Sequence, residues 1–203
     1  TTVYVVEDDE INRELMKDLF ESVDLHVEAF ASGNDFLEAL PVKGPGCILL
    51  DVLMPGISGL DLQTKLAEEP TRLPIIIVTA HGDTQMAVRA MKEGAFDFVE
   101  KPINNQMLLE VANKAINESR KLIADLDFQD EIQERMNLLT PRERNVLDMI
   151  AQGKLNKQIA FDLGITQRTV EVHRARVMEK MQARTVADLL RTVMSLDTFT
   201  GKP

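Results

Sequence analysis

The chain has 203 residues, of which 44% are hydrophobic, and a formal net charge of −10. This length suits one large domain or two small ones, and the composition excludes collagen-like, repetitive and largely disordered proteins. The charge is uneven, with −11 over residues 1–120, −3 over 121–139 and +4 over 140–203, so only the last third suits a polyanion such as nucleic acid.

No apolar run reaches the roughly 20 residues that cross a bilayer, and residues 1–20 carry acids where a signal peptide would be basic and then apolar. The single cysteine, Cys47, lies in an apolar run and is expected to be a buried thiol. We therefore expect a soluble, cytoplasmic protein that has no membrane partner.

Residues 1–120 alternate short apolar runs with amphipathic stretches, which is typical of βα units around a parallel sheet. Five strands are predicted, over residues 3–6, 27–30, 47–50, 75–78 and 96–99. Apolar residues recur between them at helical spacing, which indicates the buried faces of helices. These residues are Ile11, Leu15, Leu19 and Phe20, then Phe36, Leu37 and Leu40, then Leu60, Leu62 and Leu66, then Met86, Val88 and Met91.

Polar residues follow several of the predicted strands. In open α/β sheets, ligands bind at the carboxyl ends of the strands, near the point where the strand order reverses. We therefore expect these residues to converge on one edge of the sheet, namely Glu7, Asp8 and Asp9 after the first strand, Asp51 after the third, Thr79 and Ala80 after the fourth, and Lys101 and Pro102 after the fifth.

Such a group of carboxylates requires compensation. Two carboxylates about 4 Å apart near a protein surface repel by roughly 4 kcal/mol, so the cluster needs a cation or raised pKa values. A hard divalent ion such as Mg2+ meets this need and still accepts phosphate oxygens. Asp51 would then be a nucleophile toward a phosphoryl group, with Lys101 as counter-charge and Thr79 as hydroxyl donor. Taken singly, each residue could instead be a helix-terminal or solvated surface group.

The combined pattern resembles the receiver domains of two-component response regulators. The resemblance rests on Val6-Glu7-Asp8, on residues 51–56 with Ser58-Gly59, on Thr79-Ala80 and on Lys101-Pro102. It implies an α/β flavodoxin-like (βα)5 fold with strand order 2-1-3-4-5, and phosphorylation of Asp51 by a sensor histidine kinase. It also implies Mg2+ or Mn2+ held by Glu7, Asp8, Asp51 and the Leu53 carbonyl, roles for Thr79, Ala80 and Lys101, and a cis peptide before Pro102.

Phe98 aligns with the switch aromatic of this family. The resemblance implies that phosphorylation draws Thr79 toward the phosphate and lets Phe98 turn inward, which reshapes the face formed by the fourth helix, fifth strand and fifth helix. An ordinary core position in the strand is the alternative for Phe98.

A helix is expected to begin near Asn104 and to continue to about Leu139, since no Gly or Pro interrupts this segment. Residues 121–139 are the predicted linker between a receiver domain at 1–120 and a second domain at 140–203. The apolar spacing is only partly heptad, so a self-associating coiled coil and a helix lying on its own domains both remain open.

The second domain begins with strong helix-start signals, because Thr140 is followed by Pro141 and Glu143 in a capping box. Periodicity predicts four helices, over residues 141–152, 156–163, 167–181 and 184–196. Residues 156–166 read as a helix, a tight turn at Gly164 and the Thr166 cap of a second helix, which is a helix-turn-helix.

The helix from Gln167 places Val170, Val177 and Met181 on one face and Arg168, Glu171, Arg174 and Ala175 on another. In a major groove, Arg can read guanine and Glu can read cytosine, whereas other basic side chains meet phosphates; a merely solvated basic face is the alternative. The predicted DNA-binding residues are Lys157, Thr166, Gln167, Arg168, Thr169, Glu171, Val172, Arg174, Ala175, Arg176 and Lys180. His173 is expected to pack or contact phosphate, since His26 and His81 offer no zinc-site spacing.

With Leu139 to Glu143 and the run Thr169 to His173, this segment resembles the LuxR/FixJ-type output domain, and the FixJ branch most closely. It departs from the NarL branch, which has lysines where Glu171 and Ala175 stand, so base preference does not transfer. The resemblance implies a dimer after phosphorylation, paired through Val186, Leu189, Leu190 and Val193, and promoter DNA and RNA polymerase as partners in activation.

Enzyme alternatives fit less well. A haloacid-dehalogenase-type phosphohydrolase needs a second acid two residues after the nucleophile, where Leu53 stands. A dinucleotide-dependent oxidoreductase needs a Gly-rich turn after the first strand, where Glu7 to Glu10 stand. A constitutive DNA-binding protein whose receiver only dimerises remains a third possibility. We expect a regulator rather than an enzyme.

Overall fold

The structure is a computed structural model that describes residues 1–68, 73–80 and 84–200, with side chains up to residue 196. The chain divides into two compact units, Thr1–Ala124 and Asp125–Pro203. No helix in the described part of the chain is long and apolar enough to span a bilayer.

The first unit is built on a parallel five-stranded sheet with strand order β2-β1-β3-β4-β5, which confirms the predicted flavodoxin-like topology. The strands are β1 (Thr2–Val6), β2 (His26–Phe30), β3 (Gly46–Asp51), β4 (Ile75–Thr79) and β5 (Asp97–Glu100). The helices are α1 (Glu10–Glu21), α2 (Gly33–Glu38), α3 (Gly59–Glu68), α4 (Thr84–Lys92) and α5 (Asn105–Asn137).

The sheet is covered on both faces because successive strand residues point to opposite sides. On one face, residues such as Val5, Leu49 and Val78 pack with Phe20 of α1 and Ile116 of α5. On the other face, alternate strand residues pack with α2, α3 and α4, including Tyr4, Ile48, Leu50, Ile77, Phe36, Leu62 and Ala90. The wholly buried β3 lies at the centre of this arrangement.

The predicted apolar face of α1 was partly wrong. Met16 and Phe20 are buried, whereas Ile11 is 72% exposed and Leu15 is 62% exposed. Each residue turns a helix by about 100°, so Ile11 lies on the side of α1 opposite Phe20. The row from Ile11 through Leu15 turns toward the buried face by only about 40° per step, and it reaches the edge of the core at the partly buried Leu19. In α4, Val88 and Met91 are likewise exposed, since the buried position there is Ala90.

The second unit is all-α. It contains α6 (Pro141–Ala151), α7 (Asn156–Leu163), α8 (Gln167–Lys180) and α9 (Val186–Thr200). The predicted capping box is present, because Thr140 Oγ1 accepts from the Glu143 amide and the Glu143 carboxylate accepts from the Thr140 amide. Gly164 ends α7 at φ 65°, a left-handed conformation that favours glycine.

The core of the second unit joins all of its helices. Val170, Val177 and Met181 are buried as predicted, together with Val146, Leu147, Ile150, Ile159 and Ile132. Ile132 belongs to α5, so the end of that helix lies on its own domain, which favours this alternative for the linker over a coiled coil. Leu189 is also fully buried, so the prediction that it forms a dimer contact was wrong; it supports α9 from within.

Candidate functional site

Three carboxylates meet at the carboxyl edge of the sheet. Carboxylate oxygens of Glu7, Asp8 and Asp51 all lie within 4.8 Å of one another. The register explains the meeting, because β1 pairs with β3 so that Val6 lies opposite Leu50, which places the residues after each of them side by side. Glu7 and Asp51 are buried, and Asp8 is exposed.

Lys101 supplies the positive charge at this edge. Its Nζ donates to Glu7 Oε2 at 2.7 Å and lies 3.6 Å from Asp51 Oδ2. Its backbone amide donates to the Thr79 carbonyl at 2.8 Å, and the Lys101-Pro102 peptide is cis. Asp51 Oδ1 accepts from the Val52 amide at 2.8 Å. Lys101 is therefore shared between two acids at the ends of different strands.

The surroundings of Glu7 and Asp51 disfavour the charged form of each carboxyl group. Burial raises the pKa of Asp51 above its usual range, and the Lys101 ammonium offsets part of that rise. Burial also raises the pKa of Glu7, and the hydrogen bond from Lys101 offsets part of it. Three carboxylates and one ammonium leave a deficit of positive charge. This all-oxygen donor set fits a hard divalent cation such as Mg2+.

The other predicted residues of the first unit surround this cluster. Thr79 is buried at the end of β4, Ala80 follows it and is exposed, and the Leu53 side chain is exposed. Phe98 is partly buried and packs against the apolar cluster beneath α4. This position suits either interpretation of Phe98, as a core residue or as a mobile aromatic.

Sequence reasoning missed Arg13 of α1. Its Nη1 donates to the backbone carbonyl of Glu7 at 2.8 Å and to that of Asp8 at 3.1 Å. The available signal was a basic residue one turn inside a helix that begins at the last of four consecutive acids, with Asp9 as the N-cap. This signal alone does not distinguish a backbone contact from a solvated charge.

In the second unit, α8 follows the Gly164 turn and is capped by Thr166, whose side chain accepts from the Thr169 amide at 3.1 Å. The side chains predicted to contact DNA lie on the accessible side of the helix-turn-helix. Those that are exposed are Lys157, Thr166, Gln167, Arg168, Glu171, Val172, Ala175 and Arg176, while Thr169 and Arg174 are partly buried. His173 is also partly buried, and its Nδ1 has no hydrogen-bond partner among the residues that the structure describes.

Lys180 is engaged inside the domain, so its predicted role as a free phosphate contact is not supported. Its Nζ donates to Glu143 Oε2 at 2.6 Å and to the Leu138 carbonyl at 3.0 Å. The Glu143 carboxylate is buried, and the hydrogen bonds from Lys180 and from the Thr140 amide lower its pKa to about 2. This ion pair ties the start of α6 to the end of α8.

Comparison with known proteins matches both units to families. Residues 3–113 match the family described as the response regulator receiver domain, and residues 137–193 match the luxR family of bacterial regulatory proteins. Nodulation protein W of Bradyrhizobium diazoefficiens is 43% identical over 189 residues, which cover 93% of this chain and 83% of that protein. The transcriptional regulatory protein FixJ of Azorhizobium caulinodans is 41% identical and covers 95% of this chain and 91% of its own.

Among solved structures, the response regulator StyR superimposes with a TM-score of 0.88 at 40% identity, covering 95% of this chain and 98% of that chain. This identity and coverage make StyR a relative of this chain. These matches agree with the sheet order and the helix-turn-helix described above. The chain belongs to the FixJ/NarL-type response regulators, two-component transcriptional regulators that join a receiver to a LuxR-type DNA-binding domain, and it is not an enzyme.

Proposed function

We propose that this regulator is switched by phosphorylation of Asp51. The phosphoryl group comes from a sensor histidine kinase in the cytoplasm and changes dimerisation and promoter binding by the second unit, which activates transcription with RNA polymerase. The observation that carries this proposal is the cluster of Glu7, Asp8 and Asp51 carboxylates beside Lys101, in the same chain as a helix-turn-helix.

The proposed transfer is an in-line displacement. A carboxylate oxygen of Asp51 forms a new bond to phosphorus, and the bond from phosphorus to the donor nitrogen or oxygen breaks, with its electron pair leaving on the donor. Lys101 balances charge on the phosphoryl oxygens, since its Nζ already lies 3.6 Å from Asp51 Oδ2. Thr79, at the end of the neighbouring strand, donates its hydroxyl to the product, and Ala80 leaves room beside it.

Glu7, Asp8, Asp51 and the Leu53 carbonyl would hold Mg2+, or Mn2+ in its place. Bound there, the ion would neutralise charge on the phosphoryl group during transfer. Glu7 and Asp51 contribute buried carboxylates whose raised pKa values reflect the lack of solvent compensation. Asp8 contributes the exposed carboxylate through which the cluster opens to solvent.

The kinase partner would approach over α1. Ile11 and Leu15 are exposed there, one to two turns after the acidic loop. A cavity of about 250 Å3 beside them is lined by Leu15, Leu19, Pro102 and Ile103 among others. Exposed apolar residues at the rim of a charged site favour a protein partner over a small donor alone.

The signal would leave the site through Thr79 and Phe98. Phosphate adds about −1.5 to −2 charges at neutral pH, and this shifts a two-state equilibrium only if the two states contact it differently. Movement of Thr79 toward the phosphate and inward rotation of Phe98 would provide that difference. The domain boundaries that we propose are residues 1–120 for the receiver, 121–139 for the linker and 140–203 for the output domain.

In the output domain, Arg168, Glu171, Arg174 and Ala175 would face base edges, and Lys157 and Arg176 would meet phosphates. Thr166, Gln167, Thr169 and Val172 complete the proposed contact surface. Val186, Leu190 and Val193 would pair two output domains through α9, so that two α8 helices lie about one turn of DNA apart. Buried Leu189 is not part of this surface.

The test is labelling by acetyl phosphate plus Mg2+, followed by mobility on phosphate-trapping gels. We expect the wild type to be labelled and Asp51→Asn to remain unlabelled. Asp9→Asn is the matched control, because Asp9 caps α1 through the Asn12 amide and asparagine caps equally well. The same proteins are then bound to a random DNA pool, where phosphate is expected to increase wild-type binding only. Equal labelling of wild type and Asp51→Asn would refute the site, and unchanged DNA binding would indicate a constitutive DNA-binding protein.

A further inference from the structure

We infer that Arg13 is a positioning residue for the acidic cluster, holding the loop that carries Glu7 and Asp8 in the geometry that binds a divalent cation. This inference rests on the cation site of the proposed function. The observation that carries it is that one guanidinium nitrogen bridges two successive backbone carbonyls, those of Glu7 at 2.8 Å and Asp8 at 3.1 Å.

The Asp8 carboxylate depends on its backbone for its position. Within the described ranges, no hydrogen-bond donor holds this carboxylate, although its oxygen lies within 4.8 Å of those of Glu7 and Asp51. Glu7 differs, because its carboxylate accepts from Lys101 and its amide donates to the Phe30 carbonyl at 3.1 Å. The contacts of Arg13 therefore act on the part of the loop that has the fewest other restraints.

The bridge also sets how α1 meets the loop. Asp9 accepts from the Asn12 amide through its side chain and from the Arg13 amide through its carbonyl, which begins the helix. The Arg13 side chain then turns back past the N-cap to the two preceding carbonyls. These contacts enclose Glu7 to Asp9 between the end of β1 and the first turn of α1, so the loop cannot rotate without breaking them.

Charge and positioning predict opposite effects on cation affinity. If Arg13 acted only as a nearby positive charge, removing it would strengthen binding of a cation by relieving Coulomb repulsion. If Arg13 positions the loop, removing it weakens binding although the repulsion is relieved. Groups that orient metal ligands without touching the metal typically change affinity by about 10- to 100-fold when removed.

The experiment measures Mn2+ binding to the full chain by electron paramagnetic resonance of the free ion, without any phosphodonor. We expect Arg13→Gln to weaken Mn2+ binding by about tenfold. Arg13→Lys retains the charge on a side chain one atom shorter, and we expect about threefold weakening. Lys17→Gln is the matched control, because it removes a positive charge from the next turn of α1 and is expected to leave affinity equal or slightly higher. Urea unfolding is measured in parallel and is expected to place each variant near the wild type, since both hydrogen bonds lie near the surface.

Affinity in Arg13→Gln that equals or exceeds that of the wild type would overturn the inference while leaving the cation site intact. If Arg13→Gln does not fold, Arg13→Lys decides, since unchanged Mn2+ affinity in that variant overturns the inference. Asp51→Asn distinguishes a failure of the proposed cation site from a failure of the proposed role of Arg13. If the wild type binds no Mn2+, or if Asp51→Asn binds it as tightly, the proposed cation site fails and the role of Arg13 fails with it.

Discussion

Removing the ammonium of Lys180 should destabilise the output domain far more than removing a surface charge. Lys180→Met retains most of the aliphatic length but leaves the Glu143 carboxylate with the hydrogen bonds from Thr140 alone, among the residues that the structure describes. Glu143 is only 2% exposed, so water cannot fully replace the lost partner. Breaking a buried pair at one end is costly because it leaves an uncompensated charge.

The pKa of Glu143 gives the magnitude. Lys180 is the main cause of its fall from the ordinary value of 4.5 to about 2. At 1.36 kcal/mol per pH unit this difference corresponds to about 3 kcal/mol. Because the Lys180 side chain is 31% exposed and water screens the pair, we expect a loss of about 2 kcal/mol at pH 7. A lowered pKa stabilises the fold above pH 4.5, and this contribution is lost as pH falls from 4.5 through about 2.

The assay is urea unfolding of the full chain, with amide hydrogen exchange of α6 and α8 followed by mass spectrometry. The difference in the free energy of unfolding between wild type and Lys180→Met should be smaller at pH 3 than at pH 7. Lys154→Met is the control, since its 2.8 Å pair with Asp162 has both side chains 34% exposed and should contribute under about 1 kcal/mol. Glu143→Gln combined with Lys180→Met should be less destabilised than Lys180→Met alone. The reasoning is wrong if Lys180→Met lowers the free energy of unfolding no more than Lys154→Met does. It is also wrong if the difference between wild type and Lys180→Met is larger at pH 3 than at pH 7.

Three further outcomes are expected. Gly59→Ala should slow phosphorylation by at least about tenfold, because its new Cβ would lie 2.1 Å from the Asp51 carbonyl oxygen and displace that strand end; an unchanged labelling rate would contradict this. Burial raises the pKa of the Cys47 thiol to about 12, so thiol-reagent labelling of the native chain should be at least about a hundredfold slower than in denaturant, and equal rates would show the thiol to be accessible. Leu189→Ala should cost about 2–5 kcal/mol in urea unfolding, whereas Val186→Ala should cost under about 0.5 kcal/mol; similar losses would place both residues in the core.

The parts of the fold that depend on short-range pattern were predictable. Continuous apolar runs marked the buried strands, and the order of Thr140, Pro141 and Glu143 marked the start of α6. Strand-end position also indicated which acids would be neighbours, since parallel strands present their carboxyl ends at one edge. The cluster of Glu7, Asp8 and Asp51 lies at that edge.

Contacts between distant positions were not predictable. The helical spacing of apolar residues placed Ile11 on a buried face, but Ile11 is exposed. Spacing alone does not show which of two adjacent rows of side chains packs against the sheet. The capping box identified Glu143, but its pairing with Lys180, 37 residues later, depends on how α6 meets α8. Residue types do not show that Arg13 contacts backbone carbonyls rather than solvent, since every residue has a carbonyl.

The central strand, β3, determines which kinds of mutation this protein tolerates. Gly46–Asp51 is hydrogen-bonded on both sides, to β1 and to β4, and every one of its residues is buried. Aliphatic exchange along it alters packing locally, but losing one residue would reverse the facing of those beyond the gap and shift Asp51 against its neighbours. The carboxylate cluster at the end of β3 should therefore be much less sensitive to aliphatic substitutions along this strand than to an insertion or a deletion in it.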